Sequence, residues 1–434
     1  MATERLNSIL SHLSPSKSGL SAITQKNADD VVITLAIRTP LTKGFKGGMK
    51  DTPLDFIVYQ LLKKVIEKSN IDPQMVEDIC LGNVSIDTTH PMILTNMNKV
   101  SNSKAAYIAR AASLAAGFPT TSAASSVNRF CSSGLKAVQD IANQISSGSI
   151  ECGVAIGAES MSEGGDRFEK PFHDALLQNQ DAEDCMQPMG QTSENVGKDF
   201  DISREAQDKF AAESYQRAER AQKAGWFDDE IVPFTVTVKD PKTGEEKKVT
   251  LTKDEGPRYG TTFESLSKIR PAFPAYGDKS TGGNSSQVTD GAAAILLMKR
   301  STAQKMNQPI LAKFCGATVT GVAPRIMGIG PSLAIPKLLG KLNLNLQKDV
   351  DIIELNEAFA SMAVYCTNVL GIDPSKMNVR GGAIALGHPL GATGARQICT
   401  GLSECRRQKK KILLTSMCIG TGQGMAGLFV NEQL

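Results

Sequence analysis

Four side chains have the types and settings that chemistry needs, and each stands at the edge of an apolar element. Cys131, in "SSVNRFCSSGLKAV", sits where a pattern of helical spacing begins. A thiol reacts as its thiolate, and the free N–H groups and dipole of a helix start favour that anion. Gly134 lets the backbone turn closely there. The alternative, a small buried hydrophobe, is equally open for this residue alone. His388 stands in "GGAIALGHPLGATG", among glycines 381, 382, 387, 391 and 394. An imidazole fixed in such a turn takes a proton near neutral pH. Cys418, in "SMCIGTGQG", closes a strand pattern ahead of Gly420, whose free N–H suits an oxyanion hole. Asn356, in "ELNEAF", carries an amide able to orient water or polarise a carbonyl, or else a buried amide with a structural partner.

The elements that must position these groups alternate. "VVITLAI" (31–37) reads as a buried strand, and Leu54, Ile57, Val58, Leu61, Leu62, Val65 and Ile66 recur at helical spacing behind Pro53. A strand over 76–84 running into an Asn, a helix around 105–117, the Cys131 turn, a helix after Gly134 and the strand "CGVAIGAES" follow. The last third repeats that syntax: "DVDIIELNEAF", the His388 turn, the helix "ARQICTGLSECRRQ" and the strand "KILLTSMCIG". Two similar α/β halves with mostly parallel sheets are expected. Residues 162–285 are richer in charge, with a polar helix from about Ser203 to Lys223 and a hairpin around "KDPKTGEE", and read as a segment lying over both halves.

With 434 residues the chain exceeds one hydrophobic core. A net charge of +3 gives no reason to expect nucleic acid or a membrane surface as partner, and the basic run 406–411 suits the negative end of a helix. No apolar run reaches the length of a membrane span. Nine scattered cysteines without a C-x-x-C pair argue for reduced thiols and against a zinc site. Near the N-terminus, Leu6, Ile9, Leu10 and Leu13 form one stripe of a short amphipathic helix flanked by Arg5 and His12. The pattern "RLNSILSHL", with Arg5, Leu6, His12 and Leu13 at its fixed positions, resembles an N-terminal peroxisomal targeting signal. A frayed helix is the alternative; a mitochondrial presequence would carry more arginine and fewer acids.

"NRFCSSGLKAV", "GNSSQVTDGAAA", "NEAFAS", "GGAIALGHPLGATGARQ" and "CIGTGQG", in this order from 128 to 424, resemble the thiolase family. With "EDICLGNV", "PMGQTSENV", "EIVPF" and "IRPAF" the resemblance spans nearly all of the chain after residue 30. It implies an α/β thiolase fold of two similar αβα half-domains in five layers, with a covering loop domain. The expected division is a targeting segment at 1–30, an N-terminal half at 31–161 completed by about 286–302, the loop domain at 162–285 and a C-terminal half at 303–434. It implies thiolysis of 3-ketoacyl-CoA in fatty-acid β-oxidation by ping-pong covalent catalysis, with CoA as co-substrate and no metal or redox cofactor. Cys131 would be the nucleophile, His388 its activator and Cys418 the second acid and base. Asn356 with His388, and the N–H groups of Cys131 and Gly420, would form two oxyanion positions. Met189, Arg258, Ser265, Ala272, Phe273 and Ser286 match CoA-binding positions. With the N-terminal pattern, the resemblance places the protein in the peroxisomal matrix, delivered by an import receptor and assembled as a homodimer. Two residues depart from the family: Phe130 and Met362 stand where glutamine is usual, and the segment from about 86 to 104 is longer. The same catalytic groups would serve an acetoacetyl-CoA-specific or biosynthetic member, and the two lost amides suit a weakly catalytic acyl-CoA-binding one.

Overall fold

The computed structural model describes residues 19–84, 103–163, 173–240 and 242–434. The targeting positions Arg5, Leu6, His12 and Leu13, and most of the long segment at 86–104, lie outside them. Besides a two-residue strand at Thr42–Lys43 that pairs with the last of them, five longer strands come from the described residues of the first half of the repeat: β1 (Val31–Arg38), β2 (Asp78–Gly82), β3 (Ala123–Val127), β4 (Cys152–Ser160) and, after the excursion, β7 (Thr289–Lys299). The excursion supplies β5 (Phe234–Lys239) and β6 (Glu246–Leu251), the antiparallel hairpin expected from its turn residues. The last third holds β8 (Ala312–Gly321), β9 (Ile352–Leu355), β10 (Ile412–Ile419) and β11 (Gln423–Asn431).

The strands run β3-β2-β4-β7-β1 in the first half and β9-β10-β11-β8 in the second, where a parallel bridge from Ile353 to Met377 supplies the outermost position, and the two runs join edge to edge in one continuous sheet through a short antiparallel pairing of β1 with β8, Val32 opposite Lys313 and Ile33 opposite Ala312. Numbered within its own half, each order is 3-2-4-5-1, so the repeated syntax of the sequence is a repeated topology. The sheets are mixed rather than mostly parallel. β2 pairs in parallel with β3 and β4, and β9 with β10, but β7 is antiparallel to β4 and β1, and β11 to β10 and β8. The fifth strand of each half causes this. β11 returns through a tight turn at 420–422, and β7 arrives from the excursion, so neither follows a crossover helix.

Helices α1 (Leu54–Ser69) and α2 (Ser103–Ala116) bury their apolar stripes on one face of the first sheet. Helices α3 (Ser133–Ser146) and α8 (Thr393–Gln408) share a second core with strands of both sheets, and α6 (Gly330–Leu342) and α7 (Ala360–Leu370) cover the far face of the second. The sequence of layers is therefore helices, sheet, two central helices, sheet, helices. Between them runs the excursion, with α4 (Met189–Asp199) and α5 (Arg204–Lys223), the latter capped by the Ser203 hydroxyl accepting from Ala206 N–H. Buried ion pairs fasten it to both halves: Arg38 to Glu230 at 2.6 Å and Asp254 at 2.7 Å, and Arg380, itself held by Glu404 of α8, to Glu230 at 3.3 Å. Removing one partner of such a buried set strands the others and typically costs about 3–5 kcal/mol.

Candidate active site

The two central helices start side by side, and glycine makes that approach feasible. A Cβ at Gly134 would lie 2.8 Å from the Gly391 carbonyl oxygen, and one at Gly394 would lie 2.4 Å from the Leu135 nitrogen. The Cys131 turn and the His388 turn are thereby brought to one place from residues 257 positions apart (388 minus 131).

Cys131 lies just before the N-cap Ser132 of α3, in a loop of tight local hydrogen bonds. Phe130 N–H donates to Asn128 Oδ1 at 2.8 Å, and the Phe130 carbonyl accepts from Ser133 N–H at 2.9 Å and Ser133 Oγ at 2.7 Å. These bonds hold Phe130 at φ +45°, a left-handed conformation that costs a bulky residue about 1–2 kcal/mol. Its half-buried ring faces Gly420, where a Cβ would sit 3.8 Å from the ring and 4.0 Å from Met189 Sδ. A tether closes the loop onto the other half: Arg129 Nη1 donates to Gln423 Oε1 at 2.9 Å.

The electrostatics of this thiol differ from the expectation for a helix start. Burial pushes Cys131 up to about 11, and the Glu159 carboxylate adds to the rise. The N–H groups of Gly420 and of Cys131 itself pull the other way and do not overcome it. Desolvation of an anion outweighs two backbone donors, so the resting group is a thiol.

His388 is 4% exposed, and burial, aided by the charge of Arg396, drives its imidazole down to about 3. It is neutral through the physiological range. The Thr393 hydroxyl donates to the Pro389 carbonyl at 3.1 Å and lies 2.6 Å from His388 Nδ1, so it accepts the Nδ1 proton. Nε2 is left with its lone pair, 3.3 Å from Asn356 Nδ2. Asn356 is fully buried at the end of β9, its N–H held by the Ser416 carbonyl at 2.9 Å, and its Oδ1 has no protein partner among the described residues. Gln287 and Thr289 fix the histidine backbone, whose N–H donates to the Gln287 carbonyl and to Thr289 Oγ1, each at 3.1 Å.

Cys418 ends β10, fully buried, opposite Gly424 across the hairpin. Burial raises its ionisation well above the ordinary thiol range, and the neighbouring Cys131 and Cys366 raise it further. Its Sγ lies 3.2 Å from Met362 Sδ, on the first turn of α7. The next turn carries Gly420, then Thr421 at φ +68° and Gly422 at φ +82°. Gly420, Cys131 and Cys418 thus lie together, and His388 lies against Asn356.

Around this centre the six positions matched to CoA fall into two sets. Met189 faces Gly420 and Phe130, the Phe273 ring packs on Gly190 and edge-on to Phe359 at 6.2 Å, and Ser286 N–H donates to the Ala358 carbonyl at 3.0 Å. Arg258, Ser265 and Ala272 are exposed on the excursion. Arg258 lies over the Tyr215 ring, the Ser265 hydroxyl closes a capping box with Thr262, and Ala272 N–H donates to the Ser280 carbonyl at 2.9 Å. Sequence reasoning missed Thr393, which orients the imidazole, and Gln287 and Thr289, which fix its backbone. Thr393, five positions beyond His388 at a helix start, was the only one with a local signal. Among the described residues no group of His, Cys, Asp or Glu is arranged to hold a metal ion, and no helix is long and apolar enough to cross a membrane.

A repeated 3-2-4-5-1 sheet around two central helices, with thiol, imidazole and thiol at their starts, defines the class. The chain matches the family descriptions "Thiolase, N-terminal domain" over residues 31–301 and "Thiolase, C-terminal domain" over 308–431, and it belongs to the thiolase family. It is 50% identical to the peroxisomal 3-ketoacyl-CoA thiolase of Yarrowia lipolytica, across 99% of this chain and 100% of that one. It is 44% identical to the dimeric peroxisomal thiolase of Saccharomyces cerevisiae, with a TM-score of 0.84 over 95% of this chain and 100% of that structure. The human mitochondrial 3-ketoacyl-CoA thiolase in complex with CoA superposes with a TM-score of 0.79 at 34% identity, across 93% and 98% of the two chains.

Proposed function

We propose that the protein cleaves 3-ketoacyl-CoA with CoA, giving acetyl-CoA and an acyl-CoA shortened by one acetyl unit, as the last step of peroxisomal fatty-acid β-oxidation. The observation that carries this reading is the placing, at the starts of two adjacent helices and the end of a neighbouring strand, of a buried neutral thiol bearing two backbone N–H groups, a neutral imidazole whose Nε2 keeps its lone pair toward Asn356, and a second buried thiol. Whole-length likeness to peroxisomal 3-ketoacyl-CoA thiolases favours it over an acetoacetyl-specific, biosynthetic or merely binding member.

The Cys131 S–H proton passes to His388 Nε2 as the sulfur attacks the 3-keto carbon. The oxygen of the tetrahedral adduct takes the N–H groups of Cys131 and Gly420, each such donor being worth about 2.7–4 kcal/mol of barrier. The bond between C2 and C3 then breaks, its electron pair passing into the enolate of acetyl-CoA. The enolate oxygen lies toward the imidazolium and Asn356. Burial makes a lone imidazolium costly, so it forms only while the anion beside it does. Cys418 gives its proton to C2, and the resulting thiolate takes the proton of incoming CoA. CoA sulfur attacks the acyl-Cys131 thioester, and the expelled Cys131 thiolate recovers its proton from His388. Met189, Phe273 and Ser286 line the inner part of the CoA path, and Arg258, Ser265 and Ala272 its outer rim. CoA is a substrate here, and no cofactor enters the scheme.

The division into an N-terminal half at 31–161 with 286–302, a loop domain at 162–285 and a C-terminal half at 303–434 belongs to the same reading. So do assembly as a homodimer and delivery by an import receptor that reads Arg5, Leu6, His12 and Leu13. A CoA-dependent thiolysis assay across 3-ketoacyl chain lengths tests it. Turnover should vanish in both Cys131→Ala and Cys418→Ala, and turnover that survives either substitution refutes the scheme.

A further inference from the structure

The one partner of Cys418 that the scheme leaves unused is the thioether of Met362. The Cys418 S–H donates to Met362 Sδ at 3.2 Å, and both side chains are at most 1% exposed. Met362 is pinned from two sides. A Cβ at Gly328 would lie 2.9 Å from Met362 Cβ, and the adjacent Ser361 hydroxyl bonds Ser193 Oγ at 2.8 Å, linking α7 to α4. A thioether accepts a hydrogen bond and never donates one.

We propose that Met362 is a positioning residue for the acid–base step: its thioether holds the Cys418 S–H in one orientation and offers the thiolate formed after proton transfer no donor. The inference rests on the acid–base role proposed above for Cys418. Two effects follow from the one contact. The Cys418 sulfur is held in place by the contact at rest, and its one proton turns from Met362 to C2 of the enolate when it is transferred. The thiolate left behind remains a strong base and so removes the proton of incoming CoA. A primary amide at 362, the side chain usual in the family, has N–H donors that could stabilise the thiolate and weaken it as a base. Burial and the neighbouring Cys131 and Cys366 also resist the anion, in the same direction as the missing donor.

Met362→Leu removes the sulfur at nearly constant volume, and Met362→Gln adds a donor. The S–H stretching band of Cys418, identified by its loss in Cys418→Ala, reads the contact directly by infrared difference spectroscopy. It should move to higher wavenumber in Met362→Leu. In thiolysis, kcat should fall about threefold to tenfold in Met362→Gln, the worth of one net hydrogen bond to the thiolate, and stay within about twofold in Met362→Leu, which adds no donor, with KM unchanged in both. The alkaline limb of the kcat profile should move to lower pH in Met362→Gln. Alkylation of Cys131 by iodoacetamide, a step that does not use the Cys418 proton, should stay within about twofold of wild type in both variants. An unmoved S–H band, or parallel losses in Cys131 alkylation and kcat, overturns the inference. Failure of the wild-type protein to acylate Cys131 overturns the proposed function instead, while the infrared band still reports on the Met362 contact.

Discussion

Replacing Thr393 by Val keeps the side-chain shape and deletes the hydroxyl that accepts the His388 Nδ1 proton at 2.6 Å. Thr393 is fully buried and His388 is 4% exposed, so water cannot replace the lost acceptor cheaply. Two states are then available to the imidazole. Either Nδ1–H stays unpartnered, or the proton moves to Nε2 and the lone pair that receives the Cys131 proton is lost. A buried donor left unsatisfied costs about 1–3 kcal/mol. If that cost falls on the competent tautomer, it corresponds to a fall in kcat of about fivefold to 150-fold at 1.36 kcal/mol per decade. KM should change little, because Thr393 is not among the positions assigned to CoA. Thr393→Ser restores a hydroxyl and should recover activity to within about threefold. Steady-state thiolysis kinetics on the three proteins, with thermal melting to confirm the fold, measure this. If Thr393→Val turns over within twofold of wild type while His388→Ala is inactive, orientation by Thr393 plays no part and the tautomer assignment is wrong.

The depressed His388 value has a consequence for stability with a definite sign. The unfolded imidazole, near pH 6.5, binds a proton that the folded one at about 3 refuses. Its contribution is therefore complete above pH 6.5 and lost as pH falls toward 3; by pH 4 the loss is about 3 kcal/mol, and His388→Gln should lose correspondingly less in denaturant titrations at pH 7 and 4. The strain at Phe130 predicts that Phe130→Gly is more stable than Phe130→Ala by about 1 kcal/mol, since both lose the ring and only alanine bears the cost of positive φ; equal denaturation midpoints would count against it. Arg129→Met cuts the tether to Gln423 and should lower kcat several-fold at constant KM, as the Cys131 and Gly420 loops lose their link. Replacing Arg5 and His12 together should leave a fluorescently tagged protein outside peroxisomes, and unchanged import would discard the targeting reading.

Much of this was legible because local rules and tertiary outcome agree. The repeated order of strand, special turn and helix became a repeated topology, and glycines 134 and 394 served the close approach of two helix starts. What escaped depends on the third dimension. The helix start at Cys131 argued for a thiolate, but burial is a property of the assembled layers, and desolvation proved larger than two backbone donors. Alternating elements argued for parallel strands, yet each fifth strand enters without a crossover helix and reverses the pairing. Phe130 read only as a lost amide, because a sequence gives no sign that three hydrogen bonds within six residues will force φ to +45°. The contact of Met362 with Cys418 joins residues 56 apart through two different elements, and nothing in either segment announces it.

The central claim is that Cys131, a resting thiol, carries the acyl group between two half-reactions. Peptide mass spectrometry after brief incubation with 3-ketoacyl-CoA in the absence of free CoA tests it most directly. The account predicts one shortened acyl group on the peptide containing Cys131, removed on adding CoA and absent in Cys131→Ala. An unmodified Cys131 in protein that turns over, or an acyl group on Cys418 instead, would contradict it.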